Sequence, residues 1–219
     1  MASRPKHPDP RPAPRLYLVT PPISESQAFS GFLAAAMAAG DVAAVLLRLA
    51  AADERTQINH AKSLAPIVQN KDAALLLGGH PELVARAGAD GVHTTGIVAF
   101  SDAVTLLKPE RIVGVGGLTT RHDAMTAAEI GADYLMFGEP DTTGERPSFE
   151  AIEERIAWWA EVFEAPCIAY AASMDEVAPL VKASADFIAL GDWLWYDPQM
   201  AAATVARAAE QMRVPESTP

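Results

Sequence analysis

Eight short apolar runs alternate with longer Ala-rich runs, and this rhythm constrains the fold more than any other feature of the chain. The short runs lie at 16–19, 43–48, 73–77, 91–93, 112–115, 134–137, 167–170 and 187–190. Their apolar residues are nearly continuous, the pattern of parallel strands covered on both faces. Between them, runs of helical period fall at 26–39, 53–69, 81–87, 121–130, 149–163, 174–182 and 199–212, with a shorter one near 101–107. Ala makes up roughly a fifth of the chain and favours helices packed closely on strands. Eight βα units predict an α/β fold, a single (β/α)8 TIM barrel spanning 15–212. A doubly wound open sheet would need a Gly-rich turn after the first strand, where the chain reads Thr20-Pro21-Pro22-Ile23.

A small-residue phrase precedes three of the strands: Gly88-Ala89-Asp90, Gly131-Ala132-Asp133 and Ser184-Ala185-Asp186. It reads as a tight helix-to-strand connection, natural for Gly131 at a left-handed helix end and less so for Ser184. Outside the barrel, residues 1–14 carry Pro5, Pro8, Pro10, Pro12 and Pro14 among charged residues. They read as a disordered arm, and 213–219 as a disordered tail.

Composition narrows the partners. The formal net charge of −11 opposes nucleic-acid binding. No basic cluster flanks an apolar span, which argues against a membrane partner. The single cysteine, Cys167, excludes an internal disulfide framework and zinc-finger spacing. The chain reads as a soluble cytoplasmic protein with a small-molecule ligand. The Trp158-Trp159 pair on an outer helix reads as packing or as the surface of a homo-oligomer.

In a barrel of this kind the chemistry gathers at the C-terminal ends of the strands. Arg48 ends an apolar strand and needs either an anionic ligand or an internal partner, for which Glu139 is the candidate. Gly78-Gly79 and Gly116-Gly117 remove side chains at two strand ends and expose N–H groups to an anion. His80 and His93 end neighbouring strands and, with Glu139, form a set capable of proton transfer. No metal site is assigned. Trp193, after the last strand, reads as a lid over the core or a surface for a ring to stack on.

The phrases Leu16-Tyr17-Leu18-Val19-Thr20, Gly88-Ala89-Asp90-Gly91-Val92-His93, Ile112-Val113-Gly114-Val115 and Gly131-Ala132-Asp133-Tyr134-Leu135 with Gly138 resemble the thiamine-phosphate synthase and thiazole tautomerase family in order and spacing. The likeness covers residues 15 to about 194. It implies the same barrel and a reaction that joins an aminopyrimidine diphosphate to a thiazole phosphate with Mg²⁺, releasing pyrophosphate. The strand ends and this likeness together give candidate ligand contacts at Arg48, Gly78, Gly79, Gly116, Gly117, Thr142, Thr143, Arg146, Ser173 and Gly191, and the strand ends give His93 and Glu139 as candidate catalytic groups. The family's second-strand Gln-x-Arg-x-Lys reads Leu46-Leu47-Arg48-Leu49-Ala50 here, and its third-strand Asn-Asp falls on Gly78-Gly79. Its Ser-x-His after strand five reads Gly116-Gly117-Leu118, and Asp192 brings negative charge to a phosphate position. These losses weigh against the complete synthase reaction, and Mg²⁺ is expected only where that reaction is kept. The expectation is a diverged member of the thiamine pathway that binds a phosphorylated thiazole or pyrimidine-type ligand. Two alternatives stand beside it: a non-catalytic interaction or regulatory barrel, and a barrel enzyme of different chemistry built on His80, His93 and Glu139.

Overall fold

The computed structural model describes residues 12–141 and 143–213. Most of the expected arm (1–14) and tail (213–219) lies outside the described residues. Eight parallel strands close into a barrel in chain order. They are β1 (Arg15–Val19), β2 (Val42–Leu47), β3 (Ala74–Gly78), β4 (Gly91–Thr95), β5 (Ile112–Gly116), β6 (Tyr134–Phe137), β7 (Cys167–Ala171) and β8 (Phe187–Leu190). Closure is made by β1 against β8, with Arg15 opposite Phe187 and Leu18 opposite Leu190. The outer ring holds α1 (Ser26–Ala38), α2 (Glu54–Gln69), α3 (Val84–Ala87), α4 (Ile97–Leu107), α5 (Arg121–Ile130), α6 (Phe149–Val162), α7 (Val177–Lys182) and α8 (Ala201–Gln211). Among the described residues, no helix is long and apolar enough to cross a membrane.

The expected helices at 81–87 and 174–182 each open with a 3-10 turn, Pro81–Leu83 and Met174–Glu176. α4 begins four residues before the expected start, because Gly96 at φ +81° turns the chain directly from β4 into the helix. Asp53, Thr120 and Ser148 cap α2, α5 and α6 by accepting the N–H groups of Thr56, Asp123 and Ala151.

Side chains alternate across each strand. Leu16, Leu18, Val45, Leu47, Leu75 and Leu77 pack against the helices, while Tyr17, Val19, Leu46, Leu76, Met136 and Tyr170 fill the barrel. Complete burial of each such side chain stabilises the fold by roughly 1.5–3 kcal/mol. Trp159 is fully buried against Phe137 and Phe163, so this half of the Trp pair is core. Trp158 is partly covered, with the Arg121 guanidinium 4.6 Å from its ring centre.

The repeated small-residue phrase builds one device three times. Gly88, Gly131 and Ser184 all take positive φ, at +71°, +106° and +69°. The next residue donates its N–H back into the preceding helix, Ala89 to Val84, Ala132 to Ala127 and Ala185 to Leu180. The Asp carboxylate then accepts a backbone N–H near the start of the preceding strand: Asp90 from Leu75 at 2.7 Å, Asp133 from Val113 at 2.7 Å, Asp186 from Cys167 at 2.8 Å. Before β2, Asp41 serves the same seam in another way. Its carbonyl accepts Leu16 N–H, and its carboxylate grips the Arg15 guanidinium at 2.8–2.9 Å.

Candidate active site at the barrel mouth

A chain of hydrogen bonds runs through the barrel from β1 to the turn after β6. The Tyr17 and Tyr134 hydroxyls lie 3.0 Å apart, the Tyr134 hydroxyl is 3.1 Å from His93 Nδ1, and His93 Nε2 is 3.1 Å from Glu139 Oε2. The His93 ring stacks on Tyr134 with centres 5.7 Å apart and planes 9° from parallel. Burial pushes the Tyr17 and Tyr134 hydroxyls above the ordinary phenol range, so both stay protonated. Tyr17, Tyr134 and His93 each carry groups that can donate or accept along this chain, which ends at the Glu139 carboxyl group.

Two glycines of β5 make room for this chain. A Cβ on Gly114 would stand 2.0 Å from Tyr134 Cζ, and one on Gly116 would stand 1.9 Å from Glu139 Oε1. Gly116 therefore clears space for a side chain of the protein itself. Gly191 does the same for Tyr170, whose hydroxyl would lie 2.1 Å from an added Cβ.

Beside Glu139, between the ends of β5 and β6, opens a pocket of about 460 Å³. Thr95, Leu118, Glu139, Arg146 and Arg155 are among its walls. Arg155 holds the loop after β5 by donating to the carbonyls of Leu118 and Thr119 at 2.8 and 3.1 Å. Arg146 reaches from the loop after β6 to both Glu176 oxygens at 2.9 and 3.0 Å and to the Tyr170 carbonyl at 3.2 Å. Two buried polar atoms in this wall have no protein partner: Glu139 Oε1 and Arg146 Nε.

The expected Arg48–Glu139 pair is not formed. Arg48 lies one residue beyond β2 and pairs with Asp192, while its Nε donates to the Thr20 carbonyl. Closure explains this choice: β8 lies beside β1 and β1 beside β2, which brings the turn after Leu190 to Arg48. Glu139 is engaged by His93 instead. Asp192, expected only to repel a phosphate, is thus the Arg48 counter-ion. Gly78 lets Arg48 lie across the end of β3, since a Cβ there would be 3.3 Å from Arg48 Cγ.

Of the set His80, His93 and Glu139, the structure joins only the last two. His80 is one-third exposed and its ring faces Glu82 at 3.3 Å, whereas His93 is 96% buried, being only 4% exposed. The Gly79 N–H, expected to be open to an anion, donates to the His93 carbonyl at 2.9 Å. Gly117, at φ +63°, is exposed at the rim of the pocket. Thr142 lies outside the described residues. Thr143 donates through its hydroxyl to Asp141 at 2.7 Å, which holds the loop after β6. Ser173 opens the 3-10 turn after β7, and the neighbouring Ala172 N–H donates to Glu176 at 2.8 Å. Trp193 donates its indole N–H to the Ala171 carbonyl and packs on the core, as a lid does.

Tyr17, Tyr134, Arg155 and Glu176 were not singled out by sequence reasoning. The signal available for Tyr134 and Glu139 was Gly114 and Gly116, two glycines on one face of a single strand, which require large neighbours. The mouth carboxylates do not suit a protein-built Mg²⁺ site. Asp192, Glu139 and Glu176 are each engaged by a different cationic or N–H partner, and no group of three His, Cys, Asp or Glu side chains among the described residues could hold a metal.

Residues 16–193 match the model of the thiamine monophosphate synthase family. The chain belongs to that family. A thiamine-phosphate synthase from Rhodospirillum centenum is 44% identical over 202 residues, covering 91% of this chain and 98% of that protein. One from Hyphomonas neptunium is 37% identical, covering 90% and 92%. The solved structure of a thiamine phosphate pyrophosphorylase from Pyrococcus furiosus superimposes with a TM-score of 0.73 at 20% identity, covering 91% and 97% of the two chains, and shows the same fold. The family match spans every strand of the barrel and the mouth from Thr20 to Trp193.

Proposed function

We propose that the chain is an active thiamine-phosphate synthase of thiamine biosynthesis, working at the barrel mouth. The observation that carries this reading is the full-length likeness to proteins of that name, far closer than the shared barrel requires. The mouth supports it with groups suited to the reaction. The methylene–oxygen bond of an aminopyrimidine diphosphate breaks, and its electron pair leaves with pyrophosphate. The thiazole nitrogen lone pair then forms the new bond to the methylene carbon.

Departing pyrophosphate needs positive charge, which Arg48 and Arg146 hold at opposite sides of the mouth. Both arginines are kept in place by the chain's own carboxylates, Asp192 and Glu176. A phosphate group would share or displace those partners. This softens the expectation of a stripped diphosphate site: the missing third-strand side chains coexist with cations held elsewhere.

The test is turnover of the aminopyrimidine diphosphate with the thiazole phosphate, with Mg²⁺ supplied, by the purified full chain. Pyrophosphate and thiamine phosphate in equal amounts support the reading. A folded protein that yields neither at saturating substrate would overturn it in favour of a non-catalytic barrel.

A further inference from the structure

A cavity of about 290 Å³ lies at the N-terminal end of the barrel, where the strands begin. Arg15 opens β1, Ile112 opens β5 and Phe187 opens β8, and all three line it. It shares no lining residue with the pocket beside Glu139. The space exists because neighbouring strands carry small inward residues in register. Ala44 of β2 stands opposite Ala74 of β3 on one side and Tyr17 of β1 on the other. Leu76, Ile168, Tyr17 and Tyr134 are all buried and close the inner end. Three aromatic side chains, Tyr17, Tyr134 and Phe187, thus line one space.

Each polar side chain in this wall already has a partner. Arg15 donates to Asp41 at 2.9 and 2.8 Å, and the two tyrosine hydroxyls bond each other at 3.0 Å. The Asp133 carboxylate is taken by the Val113 N–H and the Lys108 ammonium. An ordered water needs about two to four polar partners, and these side chains are committed elsewhere. An apolar group gains by displacing water held so poorly. A charged ligand would have to break one of the two rim ion pairs. The volume suits a ring, since a dry apolar cavity of about 150 Å³ takes benzene. The tyrosine pair shuts the inner end, so a flexible chain would have to coil, at a cost in freedom that a rigid ring does not meet.

We infer that the N-terminal end of the barrel is a binding site for a small neutral aromatic compound, held by shape and apolar contact with Tyr17, Tyr134 and Phe187. The inference does not rest on the synthase reading. An occupant touches the two rings whose hydroxyls begin the chain to His93 and Glu139.

The test uses toluene, a ring without hydrogen-bonding groups, titrated into the full chain. Calorimetry should show a single saturable site with a negative heat-capacity change, and Tm should rise with toluene concentration. Nuclear Overhauser contacts should join toluene protons to the methyl groups of Leu76 and Ile168. Ala74→Leu fills the cavity and should weaken toluene by about tenfold or more. Ala44→Val is the milder filling change and carries the test if the leucine variant does not fold; if neither folds, the Overhauser contacts in the parent decide. Pentan-1-ol, a chain in place of a ring, should bind several-fold more weakly than toluene. Absence of saturable toluene binding by the parent would overturn the inference, as would contacts to residues elsewhere or a folded, filled variant with the parent's affinity. Pentan-1-ol binding as tightly as toluene would overturn the assignment of an aromatic ring.

Discussion

Gly116→Ala is the sharpest probe of the mouth, because its cost depends on one other side chain. The added Cβ would stand 1.9 Å from Glu139 Oε1, 2.5 Å from Cδ and 2.9 Å from Oε2. Relief requires the carboxylate to move by more than an ångström, and the 3.1 Å bond from His93 Nε2 does not survive that shift. Losing a hydrogen bond to a buried charged group costs about 1.5–3 kcal/mol. For a chain of this size the loss lowers Tm by roughly 3–12 °C. In a Glu139→Ala background the obstacle is gone, and the same change should cost less than about 0.5 kcal/mol. Urea unfolding of the four proteins in the cycle, followed by circular dichroism and tryptophan fluorescence, measures the coupling. Equal costs in the two backgrounds would refute the placement of Glu139 in the space Gly116 leaves. Gly31→Ala is the control: nothing lies within 4 Å of its Cβ, it sits inside α1, and the change should stabilise by about 0.5–1 kcal/mol.

The remaining tests address charge and protonation. Burial raises the Tyr17 and Tyr134 hydroxyls above their ordinary value of 10.0, so the folded state holds those protons more tightly than the unfolded chain. Their contribution is therefore fully present below pH 10 and is lost as pH rises beyond it. Phenolate absorbance should show these two ionising only as the protein unfolds, and ionisation in a still-folded protein would contradict their burial. Arg48→Ala should weaken the aminopyrimidine diphosphate by about tenfold or more in calorimetry; unchanged affinity would remove Arg48 from the site. Glu176→Gln frees Arg146 from its counter-ion and should tighten inorganic pyrophosphate several-fold, roughly in line with the value of one charge-assisted contact, while lowering Tm; weaker pyrophosphate binding would show that Glu176 positions Arg146 rather than competing for it.

The barrel was legible because its strands are buried on both faces, and such strands are written as continuous apolar runs. The helix ends were legible for the same kind of reason. Gly88 and Gly131 mark left-handed positions, and even Ser184, a less natural residue there, adopts one when the phrase around it is kept. The site was legible only in part. His93 and Glu139 could be singled out as chemistry-bearing residues at strand ends, yet their link through Tyr134 to Tyr17 could not, because it joins β4, β6 and β1 across the interior. Arg48 was visible as a charge in need of a partner. The partner was misassigned because barrel closure, not distance along the chain, brings Asp192 to it. The glycines were visible too, but an open strand end and a space filled by a neighbouring side chain look identical in sequence.

The aspartates ahead of β2, β4, β6 and β8 give the ring a rhythm of two. Each ties its own strand to the one before it through its side chain, while the carbonyls of Asp90 and Asp186 accept the N–H groups of Ile112 and Arg15 on the strand that follows in the ring. The side-chain staples thus fall on alternate seams of a closed ring in which every strand is parallel to its neighbours. The staples sit at the N-terminal rim, the end away from the chemistry. Rigidity is thus built in below, two strands at a time, and the upper rim can exchange loops and even whole catalytic side chains without loosening the frame that holds them.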